Sequence, residues 1–240
     1  MDTKLTAPAR VPDARAARYL SLSGDERLGR LVGEGSERAF AELYQRYHQR
    51  LYRFCRSMLR NDTDAQDALQ ATFAGAFAAL ARGQRDAPMR PWLYRIAHNE
   101  SVSLLRRRRP EVTLTEQHHT PTPSAEEVAG ERERLAILVK DLGALSERQR
   151  GALVMRELGG LSHEDIALAL GVSGGAAKQT IFEARQSLAE FAEGRGMHCE
   201  DVCRALSDGN RRTMRGRKFR AHLSSRRPRS EKCHVPPPAP

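Results

Sequence analysis

Between Phe40 and Met58 the apolar residues Phe40, Leu43, Tyr44, Tyr47, Leu51, Phe54, Cys55 and Met58 recur on a three-and-four spacing. Only an α-helix gathers such spacing into one face, and a face this long must be buried against other elements. The same period returns from about Thr63, where Leu69, Phe73, Ala76 and Leu80 share one side until Gly83 and Pro88 break the pattern. It returns again from about Pro91 through Trp92, Leu93, Ile96, Ala97, Val102 and Leu105, and closes in Arg106-Arg107-Arg108-Arg109 ahead of Pro110. No stretch alternates polar and apolar residues as a half-buried strand does. With hydrophobic residues at 40 % and aromatics at 5 %, the chain suits small helical domains better than a sandwich or barrel. The spacing predicts an all-α protein.

The helices fall into two groups. Residues 110–130 are polar and contain three prolines, the signature of a linker. This divides the chain into two small helical domains, 25–109 and 131–193, joined by a flexible linker. A mobile leader, 1–24, precedes them and a basic, Pro-rich tail, 194–240, follows. In the second domain Ser146-x-x-Gln149 and Ser162-x-x-Asp165 both fit a capping box, in which the serine and the later polar side chain satisfy orphan N–H groups. The strongest local motif is the helix-turn-helix spacing from Ser162 to Leu188. Ile166, Ala167 and Leu170 give a short helix its apolar face, and Gly171 supplies a turn whose positive φ is cheap only for glycine. Val172 fills the gap. After Ser173, a cap for the next helix, Ala177, Ile181, Ala184 and Leu188 continue the period. That second helix exposes Lys178, Gln179, Phe182 and Arg185, and such a helix fits the major groove, where Gln and Arg contact base edges. The plainer alternative is a helical hairpin that only packs against its neighbours.

Charge supports a polyanionic partner. The formal net charge of the 240 residues is +10, but eleven Lys/Arg against two Asp/Glu lie between Arg204 and Pro240. The tail therefore reads as an unfolded segment that adds non-specific DNA affinity, and the rest is nearly neutral. No apolar run approaches the roughly 18 residues of a membrane span, and Met1–Leu20 contains Asp2 and Asp13 with no apolar signal-peptide core. Four cysteines make no disulfide framework. The expectation is a cytoplasmic protein with reduced thiols and no membrane contact. No Ser/His/Asp grouping or Gly-rich phosphate loop argues for an enzyme or a cofactor.

Three motifs, in order, carry a resemblance. They are Asp64-Ala-Gln-Asp67-Ala-Leu-Gln70-Ala-Thr-Phe73, then Pro91-Trp92-Leu-Tyr-Arg-Ile-Ala-His-Asn99 leading into the arginine run, then Leu145-Ser-Glu-Arg-Gln-Arg150 ahead of the helix-turn-helix. Over about residues 36–192 the chain resembles a bacterial sigma-70 family factor of the small, extracytoplasmic-function (ECF) type. The resemblance implies a subunit that binds RNA polymerase core, recognises −35 and −10 promoter DNA and assists strand opening. It implies that Asp64, Asp67, Gln70 and Phe73 dock the clamp helices of the largest polymerase subunit, with the acidic stripe opposite the apolar face; Gln66 stands where the family often has Glu. It implies a −10 role for Trp92, Arg95, His98, Asn99, Arg106, Arg107, Arg108 and Arg109, because aromatic and cationic groups suit single-stranded bases. Trp92 itself is expected to be partly buried rather than an open stacking platform. The −35 role falls to Ser173, Lys178, Gln179, Phe182 and Arg185, and an anti-sigma factor is a further partner class.

The segment from Met197-His198-Cys199 to His222 resembles a small zinc-binding helix that ends His-x3-Cys-x2-Cys. Here Arg226 and Arg229 occupy the two cysteine positions, so two of four tetrahedral ligands are gone. No metal is expected, and Cys199, Cys203 and His222 are the weak candidates left. Two rival readings stay open at this point: a stand-alone helix-turn-helix regulator, and a degenerate sigma-like protein-binding regulator.

Overall fold

The computed structural model describes residue 20 and residues 22–108, 127–209 and 211–225. Most of the leader, Arg109, most of the linker and the Pro-rich end lie outside them. Among the described residues there are eleven helices and no strand: α1 (Asp25–Gly33), α2 (Glu37–Leu59), α3 (Asp62–Ala81), α4 (Met89–Arg108), α5 (Glu127–Ala144), α6 (Glu147–Glu157), α7 (His163–Leu170), α8 (Gly174–Gly196), α9 (Cys199–Ser207), α10 (Arg211–Met214) and α11 (Arg217–Ser225). None is long and apolar enough to cross a membrane.

Packing gives two units. The first contains α1–α4 together with residues 155–173, which carry the end of α6 and all of α7. Its core is the apolar face read from the sequence: Leu43, Tyr47, Leu51, Phe54, Cys55 and Met58 of α2 are all buried, with Leu69, Phe73, Ala76 and Leu80 of α3 and Trp92, Leu93, Tyr94 and Ala97 of α4. Phe54 and Tyr94 meet edge to face at 5.4 Å, worth about 0.5–1.5 kcal/mol beyond their burial. Local chemistry sets the helix ends. Ser36 accepts from the Ala39 N–H, Arg60 closes α2 at φ 58°, and the Asn61 side chain accepts from the Asp64 N–H at 3.0 Å.

The end of the supposed leader is tied down. Arg46 donates to the carbonyls of Ser23 and Leu20 and to Asp25 and Glu42, and the Tyr47 hydroxyl donates to Asp25. Glu26 accepts from the Met89 N–H at 2.9 Å, satisfying an orphan donor at the start of α4 from another helix. Burial works against the ionised Glu26, but Arg85 and that N–H hold its carboxyl below the ordinary range. Residues 155–173 also leave the sequence-based boundary behind, because they pack with α4. Arg90 donates to the Gly159 carbonyl, and a Cβ on Gly159 would sit 3.0 Å from the Tyr94 hydroxyl.

In the second unit Arg150, only 6 % exposed, donates to the carbonyls of Leu142, Gly143 and Leu145 and so closes the end of α5. Helix α5 begins at Glu127, inside the expected linker. Helix α8 runs past the expected domain end at 193 to Gly196. The tail departs most from expectation: residues 199–225 are largely helical, and α11 packs on α8 with Phe219, Ala221 and His222 buried. Sparse apolar residues there acquire a partner that local spacing does not reveal.

Candidate protein-docking and nucleic-acid surfaces

On α3 the structure divides the four proposed docking residues. Asp67 and Gln70 are exposed and share a face with Gln66, Ala74 and Phe77. Asp64 is 5 % exposed and Phe73 is 5 % exposed, so neither belongs to that face. Asp64 is buried in the first turn of α3, which corrects its placement opposite the apolar side. Phe73 is core, with its ring 6.1 Å from Phe40 and 4.6 Å from Tyr44. Sequence reasoning missed the exposed aromatics: Phe77 and Tyr44 are 42 % and 43 % exposed. Phe77 lies seven residues after Gln70, two turns along one face, which was a usable signal. Its ring stands 4.9 Å from Phe40, and Tyr44 stacks on His48 at 5.2 Å.

On α4, Arg95, Asn99 and Arg106 fall at spacings of four and seven and form one accessible stripe. Arg95 pairs with Asp86, whose carboxyl the Arg95 hydrogen bond holds below its ordinary range. Arg107 is exposed and donates to Ser103 at 3.0 Å. Trp92 is 4 % exposed, which agrees with burial rather than an open platform. His98 turns inward, half-buried, with its ring 6.5 Å from Phe54. Arg108 closes the helix, and Arg109 lies outside the described residues.

The helix-turn-helix segments form by local rules. Ser162 caps α7 in a complete capping box with Asp165, and Gly171 takes the left-handed conformation at φ 64°. The Val172 N–H then donates to the Ala167 carbonyl. Helix α8 buries Ala177, Ile181 and Ala184 and exposes Lys178, Gln179, Phe182 and Arg185, with Phe182 61 % exposed. Ser173 is exposed before the first turn. Gln179 donates to Glu183 at 3.1 Å. The Lys, Gln and Arg around this exposed aromatic are residue types that reach base edges and phosphates.

Cys199 Sγ lies 3.7 Å from His222 Nε2. Cys203 is half-buried one turn along α9. Among the described residues no group of three metal-ligating side chains converges.

Comparison with known proteins places these surfaces in context. Sigma-70 region 2 matches residues 43–111, and Sigma-70, region 4 matches residues 135–188. The RNA polymerase sigma factor NccH of Alcaligenes xylosoxydans xylosoxydans is 31 % identical over 173 residues, covering 69 % of this chain and 93 % of NccH. The ECF RNA polymerase sigma factor SigM of Mycobacterium tuberculosis is 33 % identical over 157 residues, covering 65 % of this chain and 79 % of SigM. The solved structure of CnrH in complex with the cytosolic domain of CnrY superposes with a TM-score of 0.55 at 30 % identity, covering 69 % of this chain and 94 % of that one.

Proposed function

The chain belongs to the sigma-70 family as an ECF RNA polymerase sigma factor, and from that membership we infer which of its surfaces meets each partner. It directs RNA polymerase to promoters in transcription initiation and is not an enzyme. The exposed α3 face of Asp67, Gln70 and Phe77, with Tyr44 beside it, docks the basic clamp helices of core polymerase. The α4 stripe of Arg95, Asn99, Arg106 and Arg107 meets the opened −10 strand, with Trp92 and His98 supporting it from within. Lys178, Gln179, Phe182 and Arg185 on α8 read the −35 element, and Ser173 lies at the helix start, where phosphate contacts are favoured.

The observation that carries this division is the exposure of the α8 stripe and of the α3 face in one chain that matches both regions. A stand-alone helix-turn-helix regulator has no use for the α3 face. Work with polymerase on promoters puts the protein in the cytoplasm. CnrH was solved with CnrY, and RpoE with the anti-sigma factor NepR from Bartonella quintana, at a TM-score of 0.51 and 25 % identity; an anti-sigma protein is the corresponding partner class for this chain. Run-off transcription with core polymerase plus this chain, on templates selected from a random-sequence library, tests the assignment. Specific transcripts that depend on the chain are expected, and their absence overturns it.

A further inference from the structure

Helix α8 is longer than its reading task needs. Its 23 residues extend about 34 Å at 1.5 Å per residue, whereas the major groove is about 12 Å wide. In helix-turn-helix proteins the N-terminal residues of such a helix contact the bases. The C-terminal half of α8 therefore leaves the groove and runs past the phosphate backbone. There it carries Glu190 and Glu193, carboxylates that phosphates repel. Glu193 lies eleven residues beyond Phe182, about three turns along one face.

Helix α11 covers that liability. Arg217 pairs with Glu190 at 3.3 Å, and Lys218 pairs with Glu193, whose hydrogen bond raises the Lys218 pKa above its ordinary value. Exposed pairs of this kind add little stability, so they are not what holds α11 in place. Docking rests on buried Phe219, Ala221 and His222 and on backbone contact at Gly194, where an added Cβ would lie 2.2 Å from the Lys218 carbonyl oxygen. The pairs act on the field instead, cancelling two negative charges beside the path of the DNA. Exposed Arg204, Arg215 and Arg220 stand outside these pairs. Across residues 197–225 there are seven Lys/Arg against three Asp/Glu.

We propose that α9–α11 form a phosphate-binding extension of the reading helix, contacting the duplex backbone beyond the bases that α8 reads. This rests on the assignment of α8 as the DNA-facing helix. A docked surface differs from a loose basic tail because its cations are held at fixed positions. The Cys199–His222 contact at 3.7 Å ties α9 to α11, and the Arg195–Asp141 pair at 2.7 Å ties α8 to α5.

The test uses the full chain and a short random-sequence DNA duplex, with affinity followed by fluorescence anisotropy between about 50 and 200 mM KCl. Removing one cation that neutralises a phosphate flattens the slope of log affinity against log salt by about 0.9. The Arg215→Gln/Arg220→Gln double variant is expected to flatten it by up to about 1.8. Glu190→Gln/Glu193→Gln releases Arg217 and Lys218 and is expected to steepen it. Circular dichroism and trypsin protection of residues 199–225 establish that the helices remain docked. An unchanged slope in the arginine variant with docked helices, or a wild-type chain that does not bind the duplex at the lowest salt, overturns the proposal. Arg185→Ala, assayed for promoter choice in the holoenzyme, separates the two assignments. If promoter choice is unaltered while Arg215→Gln/Arg220→Gln still flattens the slope, the base-reading assignment of α8 fails on its own.

Discussion

Substituting Gly194 sets helix propensity against tertiary packing, and the two disagree in sign. Within a helix alanine is favoured over glycine by about 0.8–1.0 kcal/mol, so the local sequence makes Gly194→Ala stabilising. The structure places the new Cβ 2.2 Å from the Lys218 carbonyl oxygen and 2.8 Å from its Cα. Those are backbone atoms, which cannot swing aside as a side-chain tip can. Restoring ordinary contact at 3.4 Å requires α11 to shift by roughly 1.2 Å. Forced shifts of packed elements cost about 1–3 kcal/mol, and complete release of α11 forfeits the burial of Phe219, about 1.5–3 kcal/mol. The gain of about 1 kcal/mol belongs to α8 itself and is present whether α11 is docked or open, so docking of α11 should weaken by about 1–3 kcal/mol, a factor of about 5–150 in the opening equilibrium. Gly196→Ala is the control, because nothing lies within 4 Å of its added Cβ. Hydrogen exchange read by mass spectrometry across residues 199–225 should show faster exchange in the first variant and no acceleration in the second. Protection in Gly194→Ala equal to wild type, or equal acceleration in Gly196→Ala, refutes the reasoning.

Other perturbations divide surface from core. Asp67→Arg puts a cation on the docking face and should weaken core-polymerase binding at least tenfold, about 1.4 kcal/mol. The fluorescence of buried Trp92, the one tryptophan in the sequence, should be unchanged. Phe77→Ser should also weaken core binding with the fold intact, whereas Phe73→Ala should cost stability, about 3–5 kcal/mol for a buried Phe; the reverse pattern removes Phe77 from the face. Arg185→Ala should relax preference at one −35 base by about 1–3 kcal/mol, and promoter selection with sequencing reads this directly. Burial pushes the Cys55 thiol up to about 11, against a smaller lowering by the Ser101 hydrogen bond. Its alkylation should therefore be absent at neutral pH in the native protein and appear on unfolding, while partly exposed Cys199 and Cys203 react. Because the unfolded thiol titrates near 9.0, stability from this site is full below that value and lost as pH rises from 9.0 toward 11; a native Cys55 that alkylates readily at neutral pH contradicts its burial.

Much of this was legible in the chain itself. The α2–α4 faces, the capping boxes at Ser146 and Ser162, the turn at Gly171 and the exposed stripe of α8 all arise from interactions within a few residues, so spacing and residue type suffice to find them. The exposed part of α3 was half legible: Asp67 and Gln70 stand out as polar residues, and spacing puts Phe77 on their face, but hydrophobicity alone says nothing about whether a neighbour covers that ring. Asp64 and Phe73 show the converse, since both are buried although the motif that contains them is recognised through its polar positions.

The tail depended on tertiary structure almost entirely. Val202, Phe219, Ala221 and His222 are too sparse and widely spaced to announce a core, and seven cations around them suggest a solvated segment. Phe219, Ala221 and His222 become an interior against α8, where Gly194 lets two backbones touch. Periodicity is a property of one segment, and the sequence by itself determines it. Burial is a property of two surfaces that meet, and for α11 the second surface lies on α8, a helix whose own apolar pattern is complete without it.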